Sequence, residues 1–407
     1  AAPLCPPGPP AGPAGPRRGP RAPSPPRARS VSDVQVLRRK GRLKEQDPLI
    51  DLMIEMHKTH TSFEVMEKIE RWIVDHKAHP KRSRLRRLLP SVGRIHHELR
   101  LREALAEYDS FGCLSQRQFV PPNFAEMRHV LNIAQIHAIS RPLRLITFDA
   151  DGTLYEDGKH IEEDSQMIER IVGLLERGIC VAIVTAAGYQ EEEKFEQRIG
   201  GLLAAFRSLP REVVDNFYFM GGECNYLLKV AQGGSRDGGL EFVPNGEWMS
   251  REMLSWTDED VRELLDDAQE VLLDTAERLG VPVVLVRKPR SVGVVPKQPA
   301  VYEVLEEITL TAQAHLSSHS QPHCAFNGGG DCFVDVGHKG YGIDALECLL
   351  GLRPSEVMHV GDRFTVTGND KVAKSKFAIL WVATPDETAW YLDILKSDID
   401  GHHSPSG

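Results

Sequence analysis

The chain has 407 residues, 41% of them hydrophobic and 26% charged, enough for two or three domains with real cores. A net charge of −9 at pH 7 argues against a protein that mainly coats nucleic acid, and no apolar run reaches the length of a membrane span. Seven scattered Cys without a C-x-x-C pair suggest neither a disulfide framework nor a zinc site and suit a reducing compartment, the cytoplasm by default.

Residues 1–30 hold eleven Pro and five Arg, and the first acid is Asp33. Such a stretch cannot bury enough apolar surface to fold, and it reads as a disordered tail, a transit-like segment or a gene-model artefact. Residues 31–140 read as helical. Val65, Met66, Ile69, Trp72 and Ile73 fall on one helical face, and Phe124, Met127, Val130, Leu131 and Ala134 do the same after Asn123, a residue suited to an N-cap. Between them, Lys81–Arg87 is a basic run. It can be a solvated face or a site for an anion, such as nucleotide phosphates or a neighbouring subunit's acids.

An α/β core begins near residue 141. Leu143–Phe148 alternates as a strand and runs straight into Asp149-Ala150-Asp151-Gly152-Thr153-Leu154-Tyr155. Two carboxylates this close repel unless a cation lies between them, and Mg²⁺ is the natural hard cation for oxygen ligands. D-x-D-G is also turn chemistry, but a strand leading into D-x-D-G-T-L is far more specific. One acid can then be a nucleophile and the other a general acid/base. After a helix over 167–175 stopped by Gly178, the apolar run Ile179–Val184 is a strand buried on both faces, ending at Thr185, whose hydroxyl is placed for a phosphate contact. Phe217–Met220 is a further strand. From about 230 the pattern changes to a small α+β insert, a cap, with helices over 258–279 and 301–316 and strands over 281–287 and 292–295. The chain returns through Asn327-Gly328-Gly329-Gly330-Asp331 to Lys339, a cation ahead of a helix over 343–350. Strand Val357–Val360 ends in Gly361-Asp362, with Asn369 and Asp370 beyond. His359 in that strand is a packed core residue, and Trp381 in the last strand, 379–382, can stack on a ligand or pack in the core.

These motifs resemble those of the haloacid dehalogenase (HAD) phosphohydrolases. That likeness implies a Rossmannoid parallel-sheet core (141–229 and 331–400), a C2-type cap (230–330), an N-terminal helical region (31–140) and a tail (401–407). More narrowly, Thr147-Phe148-Asp149, Thr153–Gly158, Val184–Tyr189, Met220–Glu223, Asn327-Gly328-Gly329 with Asp331 and His359–Asp362 are similar to the IMP-specific 5′-nucleotidase family. So are Leu89–Gly93, the Arg128–Asn132 stretch and Glu247-Trp248. The resemblance covers roughly 85–395. It implies Mg²⁺-dependent hydrolysis of inosine 5′-monophosphate (IMP) to inosine and phosphate in nucleotide metabolism. It also implies a homo-oligomer, a tetramer, and a response to ATP through the helical region.

Carried over position by position, Asp149 is the nucleophile and Asp151 the proton donor. Asp149, Asp151 and Asp362 hold Mg²⁺, Asp157, Thr185, Asp331 and Lys339 contact the nucleotide, and Arg128 and His129 contact ATP. The loop after Asp362 and residues 31–84 depart furthest from the family. Two rival readings stay open: another HAD phosphatase or phosphomutase acting on a sugar phosphate or different nucleotide, and a non-catalytic nucleotide- or RNA-binding protein using Lys81–Arg87. Paired acids at a strand end argue against the second, because binding alone does not need them.

Overall fold

The computed structural model describes residues 47–233 and 238–403. The Pro/Arg-rich segment 1–30 and part of the Gly-rich stretch near 235 lie outside the described residues. The core is a seven-stranded sheet in the order β11-β10-β1-β2-β3-β4-β5. Its strands are β1 (Leu145–Phe148), β2 (Cys180–Val184), β3 (Phe217–Gly221), β4 (Tyr226–Val230), β5 (Leu240–Phe242), β10 (Val357–Gly361) and β11 (Ala378–Trp381). The five strands from β11 to β3 are parallel, and β4 and β5 add an antiparallel edge. Near-unbroken apolar runs in β1, β2 and β10 fit a sheet covered on both faces. Ile146, Phe148, Val181 and Ile183 pack into one layer, and Leu145, Ala182 and Val184 into the other.

From β1 the chain builds outward through β2 and β3, then crosses back to lay β10 on the other side of β1. That reversal opens a crevice at the carboxyl ends of β1 and β10, the place where open α/β sheets bind ligands. Asp149 follows β1 and Asp362 follows β10, so residues more than two hundred positions apart become neighbours. The Asp149 amide donates to the Val360 carbonyl at 2.8 Å.

The cap is a four-stranded antiparallel sheet, β6-β7-β9-β8, comprising β6 (Val283–Lys288), β7 (Ser291–Pro296), β8 (His323–Asn327) and β9 (Cys332–Val336). Helices Asp258–Arg278 and Tyr302–Leu316 cover one face through Leu264, Leu272, Ile308 and Ala312, against Val292, Val294, Cys332 and Val334. This pairing corrects the cap limits of 230–330. Strands β4 and β5 belong to the core sheet, whereas β9 belongs to the cap. The reason is that β8 and β9 form a hairpin across the Gly-rich turn, and a mixed apolar–polar stretch such as 323–336 does not announce its pairing partner. The helix expected over 343–350 starts at Lys339, and a last helix, Pro385–His403, went unread.

The N-terminal helices form as read. Val65, Met66, Ile69 and Ile73 are buried, Trp72 is half-buried, and Asn123 caps helix Phe124–Ile139 in a reciprocal box with Glu126. In the basic run, Lys81, Arg82, Arg84, Arg86 and Arg87 are all exposed, with Arg84 lying over the Trp72 ring and Arg86 donating to the Val92 carbonyl. They splay outward rather than converge, which favours the solvated face.

Arg128 and His129 sit where this helix meets the core. Arg128 is 1% exposed and pairs with both Glu387 oxygens at 2.8 and 2.9 Å while donating to the Trp381 carbonyl at 2.6 Å. His129 is buried between Tyr108, Trp390 and Tyr391, with its Nδ1 on the Tyr391 hydroxyl. Burial pushes its imidazole down to about 4, so it is neutral. As placed, both side chains fasten the helical region to the core, and an ATP contact there requires the Glu387 pair to open.

Against the penalty of burial, Arg128 holds the Glu387 carboxyl down to about 2. The sign follows directly: a depressed carboxyl stabilises fully above its ordinary value near 4.5 and loses that contribution as pH falls toward 2. Glu387→Ala leaves Arg128 charged and unpaired in the interior and is expected to cost about 3–5 kcal/mol by urea unfolding near neutral pH. The paired variant Arg128→Met with Glu387→Met is expected to recover much of that loss. Equal stability of Glu387→Ala and the parent chain contradicts this account.

Candidate active site

At the crevice floor lies an ammonium between two carboxylates. Lys339, 0% exposed, reaches Asp149 Oδ1 at 2.8 Å and Asp370 Oδ1 at 2.6 Å. Burial works against its charge, but Asp149, Asp370 and Glu223 hold it protonated well above the usual lysine range. Asp370 is fastened on three further sides. His359 Nε2 meets it at 2.9 Å, the Arg363 amide donates to its Oδ2 at 2.9 Å, and the Gly361 Cα lies beside it. A Cβ on Gly361 would come within 2.4 Å of that carboxylate, so only glycine fits there. A carboxylate only accepts, so His359 donates from Nε2 and takes the Thr147 hydroxyl at Nδ1, 2.8 Å away. His359 is thus a buried core residue, as expected, and it also aims Asp370.

Asp149, Asp362 and Asp370 form the one group of potential metal-ligating side chains found among the described residues, with ligand atoms all within 4.8 Å. Asp149 and Asp370 share Lys339, while Asp362 has the Arg363 guanidinium 3.8 Å away. Burial, with Asp370 and Asp362 alongside, drives the Asp149 carboxyl well above its ordinary range. A divalent cation with oxygen preference relieves that repulsion, so the donor set fits such an ion. This side-chain cluster differs from the metal set read from sequence, which was Asp149, Asp151 and Asp362. The Asp151 carboxylate is outside the cluster, with Oδ1 accepting from the Gly158 amide at 3.0 Å and facing Arg198 at 3.5 Å, and Asp370 takes its place. The D-x-D spacing does not set this, because β1 ends at Phe148 and side-chain direction in the turn that follows is not fixed by spacing.

Above this floor, a cavity of about 500 Å³ opens between core and cap. Asp149, Asp151, Asp157, Thr185 and Asp331 all line it, so the structure brings together five of the site residues read from sequence, with Lys339 and Asp362 beneath them. The Thr185 hydroxyl oxygen accepts from the Ala187 amide at 3.2 Å, which leaves its proton for a ligand. Asp331 sits on the β8–β9 turn, its carboxyl raised by burial with Arg363 pulling the other way. Arg363 itself, just beyond Asp362, lies 3.7 Å from Asp157 and donates to the Asn327 carbonyl at 2.6 Å. Trp381 is not in the cavity. It is buried between Phe124 and Phe364, and its indole N–H donates to the Asp362 carbonyl at 3.1 Å, the core role of its two readings.

Two residues given no role at the sequence level stand out. Asp370 was visible only as an acid trailing Gly361-Asp362. Glu223 is fully buried, holds a left-handed backbone at φ 64°, and accepts from the Asn369 amide at 2.8 Å. Non-glycine residues seldom adopt that conformation without a local reason. Burial pushes its carboxyl up to about 7, against the pull of Lys339. Its backbone amide donates to the Thr185 carbonyl at 2.8 Å, so one turn steadies both the threonine and the asparagine beside Asp370.

Comparison with known proteins agrees with this geometry. The family model described as IMP-specific 5′-nucleotidase matches residues 35–392. An IMP-specific 5′-nucleotidase of Aspergillus fumigatus is 40% identical over 338 residues, 79% of this chain and 75% of that one, and one of Plasmodium falciparum is 34% identical over 375 residues, 86% of this chain and 83% of that one. Among solved structures, the IMP-bound, N-terminally truncated P. falciparum IMP-nucleotidase superposes with a TM-score of 0.81 at 33% identity, covering 87% of this chain and 97% of that one. The ATP-bound form of that nucleotidase gives 0.79 at 34%, covering 90% and 87%. With the strand-end acids, buried lysine and cap in the same frame, this chain belongs to the IMP-specific 5′-nucleotidase family.

Proposed function

We propose that this chain hydrolyses inosine 5′-monophosphate to inosine and phosphate through an aspartyl-phosphate on Asp149, with Mg²⁺ as cofactor. The observation that carries this reading is the placement of Asp149: a carboxylate at the floor of a core–cap cavity, braced by Lys339 and beside two more buried acids.

A phosphate monoester dianion repels nucleophiles, and its uncatalysed hydrolysis is among the slowest known. Lys339 and the Ala150 amide, each 2.8 Å away, both hold Asp149 Oδ1, which leaves Oδ2 for in-line attack on phosphorus. The Thr185 hydroxyl donates to a phosphoryl oxygen. Asp149, Asp362 and Asp370 would hold Mg²⁺, which would supply charge neutralisation on the phosphoryl group. Asp151 gives its proton to the ribose 5′-oxygen as the P–O bond breaks and inosine leaves. It then takes a proton from the water that attacks the phosphorylated Asp149, returning the free carboxylate and releasing phosphate. Asp157 and Asp331, on the cavity wall, contact the nucleotide in this reading.

The chain acts in this reading as a homo-oligomer, a tetramer, with ATP binding to the helical region and altering activity at a distance. An ATP-bound relative supports the effector, and coupling requires ATP to prefer one conformational or oligomeric state. No helix among the described residues is long and apolar enough to cross a membrane.

Asp149→Asn is expected to leave the fold intact and turnover below roughly 1% of the parent, since losing a covalent step costs more than a few kcal/mol. Phosphate release from IMP measures it, and substantial residual activity contradicts the nucleophile. Asp362→Asn is expected to raise the Mg²⁺ concentration for half-maximal thermal stabilisation, without substrate, at least about tenfold, the loss typical of even an outer-shell partner. An unchanged Mg²⁺ titration sinks the metal assignment. IMP hydrolysis measured with and without ATP at constant free Mg²⁺ is expected to differ in kcat or KM, and identical kinetics remove ATP as an effector. A panel of sugar phosphates beside IMP separates the nucleotidase from a sugar-phosphate phosphatase.

A further inference from the structure

The cap sheet has two faces, and the pairing register says what each carries. Side chains alternate along a strand, so Val292, Val294, Cys332 and Val334, packed under the cap helices, define the inner face. The residues between them turn the other way. Lys288 pairs with Ser291, and Ser291 with Asp335, so these three form one row across β6, β7 and β9. Two positions along, Gly293 pairs with Phe333, and Phe333 with Phe326, which makes a second row. Directly opposed residues on one face lie within side-chain contact. Lys288, Ser291, Asp335, Phe326 and Phe333 all line the cavity that also holds Asp149.

The aromatic row is built flat. A Cβ on Gly293 would fall 2.3 Å from the Phe333 ring, so the ring lies directly over the glycine and shows its other side to the cavity. Phe326 runs nearly parallel to it, 23° between planes. The polar row is built with something left over. Asp335 is 2% exposed, its Oδ1 takes the Ser291 hydroxyl, and its Oδ2 is buried without a hydrogen-bond partner. Burial and Glu223 raise its carboxyl, while Ser291 and Lys288 pull it down. Lys288 rests against the Phe333 and Tyr189 rings at 5.8 and 5.5 Å, a cation near the lone acceptor and not among its hydrogen-bond partners. A buried polar atom without a partner is costly, and in a cavity wall it marks where a ligand group belongs.

We propose that this row reads the six-membered edge of the purine, with Asp335 Oδ2 accepting N1–H, the Lys288 ammonium donating to the 6-oxo oxygen, and Phe333 carrying the face of the base. The inference rests on the purine-nucleotide reading above and names the residues that set its base preference. A 6-oxo purine presents a donor at N1 beside an acceptor at position 6. Adenine presents the reverse, an acceptor at N1 and an amine at position 6, which leaves both Asp335 and Lys288 facing groups of their own kind. Sites that hydrogen-bond their substrate reject such a mismatch strongly, because their own buried groups go unpaired. Guanine shares the 6-oxo edge, so this row by itself separates IMP and GMP from AMP and does not separate IMP from GMP.

The test is kcat/KM for IMP, GMP, AMP and ribose 5-phosphate, the last carrying the phosphate and sugar without the base. Lys288→Gln and Asp335→Asn are each expected to lower the ratio of IMP to ribose 5-phosphate by about tenfold or more, and the ratio of IMP to AMP likewise, with GMP following IMP. If Asp335→Asn fails to fold, as its melting curve would reveal, half-buried Lys288 decides the matter alone. Ratios unchanged in Lys288→Gln, or IMP and ribose 5-phosphate falling together, overturn the proposal. Failure of the parent chain to hydrolyse IMP at all is a separate result, and it overturns the nucleotidase reading instead.

Discussion

Everything at the catalytic floor depends on one buried ammonium. Lys339 has no solvent, and its charge survives only because Asp149 and Asp370 lie within 2.8 Å of it. Remove either acid and the other must carry the lysine alone; remove the lysine and three carboxylates crowd one dry space. Such clusters contribute little net stability compared with apolar packing. What they supply is a fixed direction for the attacking oxygen. His359, Thr147 and the Arg363 amide extend that fixity outward into β1, β10 and the loop beyond. The strand ends bring the acids together, and the hydrogen-bonded ring behind them keeps each pointed the right way.

The helical region is tied to this floor through a short chain of contacts. Arg128 and Asn132 both donate to the Trp381 carbonyl, and the Trp381 indole donates to the Asp362 carbonyl. A shift of helix Phe124–Ile139 therefore bears on the backbone of a residue of the acidic cluster with only one side chain between. This is a physical route by which an effector on the helices can reach the chemistry, and it needs no contact with substrate. Coupling of this kind requires two arrangements of the same contacts, and the Arg128–Glu387 pair is the element whose opening would produce the second.

The cap divides its labour by strand face. Its inner face is a small apolar core under two helices, and its outer face is half aromatic and half polar. Because the sheet period is two, a one-residue slip in β9 would send Asp335 and Phe333 into the cap core and Val334 into the cavity. The β8–β9 hairpin and its Gly328–Gly330 turn hold that register, so turn chemistry at the cavity wall sets which groups a base would meet.

The sequence by itself determined the parts with a strong local signature. A strand running into Asp149-Ala150-Asp151-Gly152, the Thr185 strand end, Gly361-Asp362 after β10, and the two N-terminal helical faces were all legible, because each is encoded within a dozen neighbouring residues. So was the existence of an inserted cap. Tertiary structure alone decided the rest. Asp370 joins the acidic cluster, and the Asp151 carboxylate lies outside it, because side-chain direction after a strand end is not written in residue spacing. Arg128 and His129 are buried rather than open because a C-terminal helix, unread in the sequence, brings Glu387 and Tyr391 against them. Asp335 and Lys288 share a row only once β6, β7 and β9 pair, and pairing depends on contacts between residues tens of positions apart that no local pattern records.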